Sequence, residues 1–212
     1  MPRPDSRRIG VDFDNTIVSY DGAFHAAAVE RGLIAAEVGS TKEAVRDWLR
    51  AAGREDDWTE LQGHVYGPGM AKVRPFAGVA DFFGRCIGAG VDVFVVSHKT
   101  LHPYRGPRHD LHASARGWLE AHGFTDPGRI GLPAERVFFE TTKQAKLDRI
   151  ARLGCTHFVD DLPEFLLEPG FPAGVERVLF DPHQSEACRA AAERHGLARV
   201  RSWAEAAALL LP

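Results

Sequence analysis

Cysteine is scarce in this chain of 212 residues, and its three copies, Cys86, Cys155 and Cys188, stand far apart. No CxxC pair or other close spacing occurs among them. Neither a thiolate zinc site nor a disulfide framework is therefore indicated. We expect all three cysteines to be buried thiols.

Long apolar runs are also missing, since no segment approaches the roughly 20 apolar residues that a membrane span requires. The N-terminal residues MPRPDSRRIG are basic but lack the apolar stretch of a secretory signal, so the default expectation is a cytoplasmic protein. The formal charge is −3 with both signs interspersed, which gives no electrostatic case for nucleic acid. We therefore expect neither a membrane nor a nucleic acid among the partners, and the sequence carries no signal of an oligomeric state.

Hydrophobic residues make up 44% of the sequence and charged residues 26%, as in ordinary globular domains. Apolar, β-branched runs alternate with helical patterns along most of the chain. The predicted strands are Ile9 to Phe13, Val91 to Val96, Val137 to Phe139, Thr156 to Val159 and Arg177 to Phe180. Strands that alternate with helices predict a parallel sheet covered on both faces. The expected fold is therefore α/β with a three-layer, Rossmann-like core.

The stretch that most constrains the function is RIGVDFDNTIV, residues 8–18. Asp12 and Asp14 lie two positions apart where the first predicted strand ends, and side chains at that spacing share a face of a strand. Open α/β sheets place their chemistry at this edge. Two neighbouring carboxylates repel each other unless a positive group lies between them or one is protonated. The pair indicates a divalent cation, an acid/base role, or both; the alternative is a strand end followed by an Asx-type turn.

Polar residues recur where later predicted elements begin or end: Ser97 after a strand, Lys143 at the start of a helix, and Asp160 and Asp161 after another strand. In chain order the segments DFDNT, VFVVS, TTKQAKLDRIARLG and HFVDD resemble the four motifs of the haloacid dehalogenase-like (HAD) hydrolase superfamily. The resemblance covers about residues 8–182. It implies a Rossmann-like core of residues 1–19 and 75–212, with a small α-helical cap of the first type, residues 20–74, inserted between the first two motifs.

The resemblance also implies how the site residues divide the chemistry. Asp12 would be the nucleophile that forms an aspartyl-phosphate, and Asp14 would protonate the leaving oxygen and later activate water. Thr16 would orient Asp14 or shape the turn. Ser97 would donate a hydrogen bond to a phosphoryl oxygen.

The lysine that neutralises charge on Asp12 and the phosphate is either Lys143 or Lys146, one turn later on the same helix. We favour Lys143 because the apolar positions Leu147, Ile150 and Leu153 follow it in the phase usual for the family. Both lysines could instead be surface charges of a helix, which is the common reading of an isolated lysine.

Mg²⁺ is the cofactor that the resemblance implies, because it is a hard cation that prefers oxygen ligands. Its ligands would be Asp12, the backbone carbonyl of Asp14, and the acidic pair Asp160 and Asp161. Of that pair we favour Asp161 as the direct ligand and Asp160 as an orienting or second ligand. The alternative is that the pair only caps the helix that begins at LPEFL.

The implied function is a Mg²⁺-dependent phosphatase that hydrolyses a small phosphorylated metabolite. Asp14 favours phosphate chemistry, because dehalogenases of this superfamily lack the corresponding aspartate. A phosphotransferase, a nucleic-acid 3′-end phosphatase and a non-catalytic HAD-like binding domain are the alternatives. In the segment HKTLHPYRGPRHD, the residues His98, Lys99, Arg105 and Arg108 would bind an anionic or polyhydroxylated part of the substrate, unless the segment is only a solvated loop.

Overall fold

The structure is a computed structural model that describes residues 7–211. In this part of the chain the strands are β1 Arg8–Val11, β2 Val18–Ser19, β3 Arg74–Pro75, β4 Asp92–His98, β5 Val137–Glu140, β6 His157–Asp160, β7 Glu176–Phe180 and β8 Ala198–Val200. The α-helices are α1 Ala23–Glu30, α2 Lys42–Ala51, α3 Glu55–Tyr66, α4 Val79–Gly88, α5 Leu111–Ala121, α6 Lys143–Arg152, α7 Pro163–Leu166, α8 Glu186–His195 and α9 Trp203–Leu210. Two 3₁₀ helices span Pro68–Lys72 and Ala134–Arg136. The ends of the expected core, residues 1–6 and 212, lie outside the described residues.

Six strands form one parallel sheet in the order β5-β4-β1-β6-β7-β8. The central strand β1 pairs on one side with β4, where Val11 lies opposite Val95, and on the other with β6, where Val11 lies opposite Val159. The strand order therefore reverses at β1. In open α/β sheets such a reversal opens a crevice at the carboxyl ends of the strands. The residues that follow β1 and end β4 and β6 meet at this crevice.

Helices cover both faces of the sheet, which confirms the predicted three-layer α/β core. One face packs against α6, α7 and α8 through the buried residues Phe94, Val96, Leu147, Ile150, Cys155, Phe158, Phe165, Leu166, Phe171, Leu179 and Ala192. The other face packs against α4 and α9, where the Trp203 ring lies 4.8 Å from Phe82 and 5.2 Å from Phe180, measured between ring centroids. Alternation of side chains along each strand supplies both cores.

Gly10 in β1 is dictated by packing. A Cβ atom there would lie 2.5 Å from the Phe158 ring and 3.2 Å from Cys155 Sγ. The absence of a side chain lets the Phe158 ring lie directly against the central strand. A substitution at this position would force the strand and its neighbour apart, next to the residues that follow β1.

Several elements differ from the sequence prediction, among them the short strands β2 and β3, which were not predicted. The apolar pattern of residues 23–36 predicts one helix, but α1 ends at Glu30, because Gly32 has a left-handed φ of 64° just past its end. The sequence predicts only a short helix at residues 57–62, whereas α3 spans Glu55–Tyr66. Strand β8 was not predicted: it has three residues, of which only Val200 is buried. Cys86 and Cys155 are buried as expected, whereas Cys188 is partly exposed.

The described chain divides into two compact units. The first runs to Val18, spans Pro75–His98 and resumes at Gly123, and it contains the six-stranded sheet. The second consists of Ser19–Arg74 and Lys99–His122. No helix within residues 7–211 has the length and apolar character to cross a membrane.

Residues 99–122 were expected in the core, and the structure groups them with α1, α2 and α3 instead. The Trp118 indole Nε1 donates a buried hydrogen bond to the Val73 carbonyl at 2.8 Å. Gly63 in α3 lies so close to Pro103 that a Cβ there would be 2.7 Å from its side chain. These contacts join the segment to the rest of the second unit, which we call the helical unit. That this unit acts as a cap over a substrate stays a prediction.

Candidate active site

Three carboxylates meet at the carboxyl ends of β1 and β6. Because Val11 lies opposite Val159, Asp12 comes beside Asp160, and the backbone amide of Asp12 donates to the Val159 carbonyl at 2.9 Å. Asp161 follows directly. One ligand oxygen from each of Asp12, Asp160 and Asp161 lies within 4.8 Å of the other two. Asp12 of the first motif and the acidic pair of the fourth motif therefore form one group.

Lys146 lies between two of these carboxylates. Its Nζ is 2.6 Å from Asp12 Oδ1 and 2.6 Å from Asp160 Oδ2, and the side chain is only 4% exposed. The ammonium also lies 3.9 Å from the centroid of the Phe165 ring. Burial alone lowers the pKa of Lys146, but the two carboxylates outweigh it and raise the pKa above the ordinary lysine value. The lysine is therefore charged throughout the physiological pH range.

The structure does not bear out the preference for Lys143 at Asp12: the lysine that reaches this carboxylate is Lys146. Thr142 caps helix α6 by accepting a hydrogen bond from the Ala145 amide, so Lys143 is the first helical residue. Its side chain is 53% exposed, and its Nζ lies 2.9 Å from Glu168 Oε1. Side chains on a helix tilt toward its N-terminus. A lysine one turn further along is therefore the one whose ammonium is carried back to the strand ends.

Ser97 lies near the end of β4, opposite Phe139 of β5. It is 1% exposed, and its Oγ has no hydrogen-bond partner among the described residues. A buried hydroxyl without a partner costs roughly 1–3 kcal/mol. Such a group is suited to bind an oxygen of a ligand, as the sequence predicted for Ser97.

Thr16 lies in the turn after Asp12 and makes a contact that the sequence did not predict. Thr16 is fully buried, and its Oγ1 donates to Asp161 Oδ1 at 3.3 Å. The sequence prediction was that Thr16 orients Asp14 or shapes the turn. The hydroxyl joins the first motif to the fourth.

Asp14 is half-buried and forms an isolated backbone bridge with Val18. It lies close enough to Asp12 for its charge to raise the pKa of that nucleophile candidate. Its side chain is not part of the carboxylate group found within residues 7–211. A metal contact through its backbone carbonyl stays a prediction.

The carboxylate group would carry excess negative charge if it were fully ionised. Burial raises the pKa of Asp12 to about 7 against the opposing charge of Lys146, and Asp160 and Asp14 add to the rise. Burial, together with the charges of Asp160 and Asp12, also raises the pKa of Asp161 well above the ordinary value. Once ionised, the buried Asp12 and Asp160 and the half-buried Asp161 carry more negative charge than a single ammonium can balance. The hard oxygen ligands and the charge excess fit a divalent cation such as Mg²⁺.

Without a divalent cation, the free energy of unfolding should fall as pH rises from about 4 to about 7. The pKa of Asp12 is about 7 in the folded chain and near the ordinary 3.8 when unfolded, so the folded chain binds more protons in this window. We expect Asp12 to lower the stability on the order of 3 kcal/mol across the window. The measurement is urea unfolding at several pH values with a chelator present.

The matched comparison for this pH dependence is Asp12→Asn, which removes the titrating group and should flatten the fall relative to the natural chain. Added Mg²⁺ should also flatten it, since the cation binds the ionised folded form. Parallel pH curves for the natural and Asp12→Asn proteins would contradict the assigned pKa.

The predicted substrate-binding residues fall into both units. His98 follows Ser97 at the end of β4, and its pKa is lowered by burial and then by the charge of Lys146. Lys99 begins the second stretch of the helical unit; its Nζ lies 4.8 Å from the centroid of the Tyr66 ring. Arg105 and Arg108 are exposed in the same unit.

Arg105 already has partners in helix α3. Its Nη2 lies 3.0 Å from Asp56 Oδ2 and its Nε lies 3.2 Å from Glu60 Oε1. These ion pairs attach the loop to α3, which is a structural role that the sequence did not predict. Substrate contacts by His98, Lys99, Arg105 and Arg108 stay predictions.

No protein-family model and no curated protein matches this chain. Solved structures do match. A HAD family hydrolase from Deinococcus radiodurans R1, with bound phosphate and sodium, is similar over 99% of this chain and 100% of its own, with a TM-score of 0.60 and 20% identity. A haloacid dehalogenase-like hydrolase from Streptococcus pneumoniae is similar over 96% and 98%, with a TM-score of 0.64 and 11% identity. A HAD-superfamily hydrolase of subfamily IA from Geobacter sulfurreducens is similar over 97% and 96%, with a TM-score of 0.56 and 13% identity.

This chain has the HAD-like fold. At these identities the likeness concerns the fold, and the chemistry has to be argued from the site. The HAD-like core accounts for the place of the acidic group, because its reversal of strand order at β1 brings β4 and β6 to either side of Asp12.

Proposed function

We propose that this protein is a Mg²⁺-dependent phosphatase of the HAD type, which hydrolyses a small phosphorylated metabolite through an aspartyl-phosphate intermediate. The observation that carries the proposal is the position of Lys146, 2.6 Å from both Asp12 and Asp160 in a buried acidic group. Phosphoryl transfer needs a positioned nucleophile and fixed positive charge more than it needs further covalent chemistry. The site offers both.

In the first step a carboxylate oxygen of Asp12 attacks phosphorus. The bond between that oxygen and phosphorus forms, the ester bond to the leaving oxygen breaks, and Asp14 donates a proton to that oxygen. In the second step a water molecule gives its proton to Asp14 and attacks phosphorus, which releases phosphate and restores the Asp12 carboxylate. Lys146 holds Asp12 Oδ1, which fixes the orientation of the carboxylate through both steps.

Positive charge and hydrogen bonds would stabilise the transferring group. Lys146 stays protonated, and the Ser97 hydroxyl is available to donate to a phosphoryl oxygen. Bound Mg²⁺ would offset the charge on the phosphoryl oxygens.

The metal would be held by Asp12, Asp161 and the Asp14 carbonyl. Asp160 is less suited to bind it directly, because its Oδ2 accepts from Lys146 and its Oδ1 accepts from the Leu162 amide at 2.9 Å. These two contacts support Asp161 as the direct ligand and Asp160 as the residue that orients the lysine.

The direct test is hydrolysis of a generic aryl phosphate and of a panel of small phosphorylated metabolites, each with Mg²⁺ and with a chelator. We expect phosphate release that depends on Mg²⁺. Halide release from a haloacid, measured in parallel, separates phosphatase from dehalogenase chemistry. An absence of phosphate release across the panel would reject the proposal and favour a non-catalytic binding domain.

Ser97→Ala is expected to lower kcat/KM by about 100-fold, the usual effect of removing one hydrogen bond to a developing charge. The free energy of unfolding should not fall, because Ser97 Oγ has no partner in the described chain. Steady-state kinetics and urea unfolding check the two halves of this prediction.

The control is Ser114→Ala in the helical unit, where the hydroxyl donates to the Asp110 carbonyl. It removes a serine hydroxyl outside the four motifs and should leave kcat/KM unchanged. Full activity together with lost stability in Ser97→Ala would mean that the hydroxyl is structural.

A further inference from the structure

We propose that Trp203 is a positioning residue for the acidic group of Asp12, Asp160 and Asp161. It fixes the geometry of this group through Thr16, which contacts Asp161. The inference rests on the proposed metal-binding role of the site and adds to it a residue of the C-terminal helix. Two hydrogen bonds carry it: the Trp203 indole Nε1 donates to the Thr16 carbonyl at 3.2 Å, and Thr16 Oγ1 donates to Asp161 Oδ1 at 3.3 Å. Thr16 thus accepts a hydrogen bond from α9 through its backbone carbonyl and donates one to Asp161 through its hydroxyl.

The Trp203 ring is held firmly. It is buried, and it packs against Phe82 at 4.8 Å, Phe180 at 5.2 Å and Phe83 at 6.5 Å between centroids. Aromatic contacts of this kind fix the orientation of a ring as well as burying its area. The indole N–H is therefore aimed at Thr16 by its packing.

The start of helix α9 fixes the same residue from the backbone side. Ser202 caps the helix and accepts from the Glu205 amide, while the Glu205 carboxylate accepts from the Arg201 amide at 2.8 Å. This reciprocal pattern resembles a capping box and sets where a helix begins. Trp203 is the first residue of the helix, so its position is set by the cap as well as by its ring.

The turn that receives this hydrogen bond contains a residue in an unusual backbone conformation. Asn15 has a left-handed φ of 54°, which is uncommon for a residue with a side chain and costs about 1 kcal/mol or more. Within the turn, the amides of Ile17 and Val18 both donate to the Phe13 carbonyl. Trp203, in α9, donates a hydrogen bond to a second carbonyl of the turn, that of Thr16, and thereby fixes its position.

The consequence lies in the carboxylate of Asp161. Its Oδ1 orientation depends on the Thr16 hydroxyl, whose position depends on the turn that Trp203 holds. Groups that orient a metal ligand typically change metal affinity by about 10–100-fold when they are removed. We expect Thr16→Val, which removes the hydroxyl at nearly constant shape, to weaken Mg²⁺ binding about tenfold, and Trp203→Phe to weaken it by about threefold to tenfold.

Calorimetric titration with Mg²⁺ measures these affinities, and Thr16→Ser should restore the natural value. Trp118→Phe is the matched control, because the Trp118 indole also donates to a buried backbone carbonyl, that of Val73, in the helical unit. It should lose stability as Trp203→Phe does and keep the natural Mg²⁺ affinity. If Trp203→Phe does not fold, fluorine spectra of fluorotryptophan-labelled protein still test the link, because replacing the other three tryptophans assigns the Trp203 resonance.

A second readout distinguishes positioning from simple packing. In protein labelled with fluorotryptophan, the fluorine resonance that disappears in Trp203→Phe should shift on saturation with Mg²⁺, and the shift should be lost in saturated Thr16→Val. Natural Mg²⁺ affinity in folded Trp203→Phe, or an unchanged resonance shift in Thr16→Val, would overturn the positioning role alone. No Mg²⁺ binding by the natural protein would instead reject the proposed metal site, and with it this inference.

Discussion

Replacement of Asp12 by asparagine is expected to reduce the turnover of an aryl phosphate by about four orders of magnitude. An amide keeps the shape of the side chain and can still accept from Lys146, but it cannot form the acyl phosphate. The fold should survive, because the negative charge of Asp12 is disfavoured by burial, which raises the pKa of this carboxylate to about 7. Steady-state kinetics gives the loss, and urea unfolding shows whether the variant is folded.

The intermediate itself can be observed. Mass spectrometry of protein quenched with acid during turnover should find a phosphoryl group on the peptide that contains Asp12, and none in Asp12→Asn. The control is Asp148→Asn on the exposed side of α6, where Oδ1 accepts from Gln144. It makes the same chemical change away from the acidic group and should leave turnover unchanged. Mg²⁺-dependent turnover that persists in Asp12→Asn would reject Asp12 as the nucleophile.

The sheet was largely predictable from the sequence, because a strand that is buried on both faces has a continuous run of apolar residues. Val91 to Val96 shows this clearly, and β4 forms there as Asp92–His98. Strand β8 gave no such signal, since only one residue of its three is buried. Its place in the sheet comes from pairing with β7, where Phe180 lies opposite Val200. Pairing over such a distance leaves no pattern in a short segment.

The acidic group was predictable as a set, because the carboxyl ends of neighbouring parallel strands meet at one edge. The hydrogen bonds within it were not. Trp203 contacts the first motif across 187 positions, and a tryptophan at the start of an apolar helix reads as a core residue. The sequence also did not predict that residues 99–122 belong to the helical unit, since Trp118 contacts Val73 only in the folded chain.

The choice between two lysines depended on the start of a helix. Both Lys143 and Lys146 precede apolar residues at helical spacing, so the pattern of Leu147 and Ile150 cannot separate them. The Thr142 cap makes Lys143 the first helical residue, and the tilt of side chains toward the N-terminus then favours the lysine one turn further in. The cap was readable from the sequence, and its consequence for the reach of a long side chain was the step that was missed.

Replacement of Lys146 by methionine is therefore expected to lower kcat by about 1,000-fold, whereas Lys143→Met should change it by less than about twofold. Methionine has nearly the same shape but leaves Asp12 and Asp160 without their shared ammonium. Loss of one partner of a buried ion pair costs about 3–5 kcal/mol of stability. Urea unfolding of the two variants with a chelator present measures this cost.

The pH dependence separates loss of the lysine charge from simple misfolding. Lys146 lowers the pKa of Asp12 against the effect of burial, so its removal should raise that pKa further and keep the nucleophile protonated to higher pH. The acid limb of the kcat profile of Lys146→Met should then move to higher pH, while the profile of Lys143→Met stays in place. Lys143 pairs with Glu168 at an exposed position, where an ion pair contributes little. A larger loss of kcat in Lys143→Met than in Lys146→Met would mean that the exposed lysine binds the phosphate after all, and that the buried one only holds the two strand ends together.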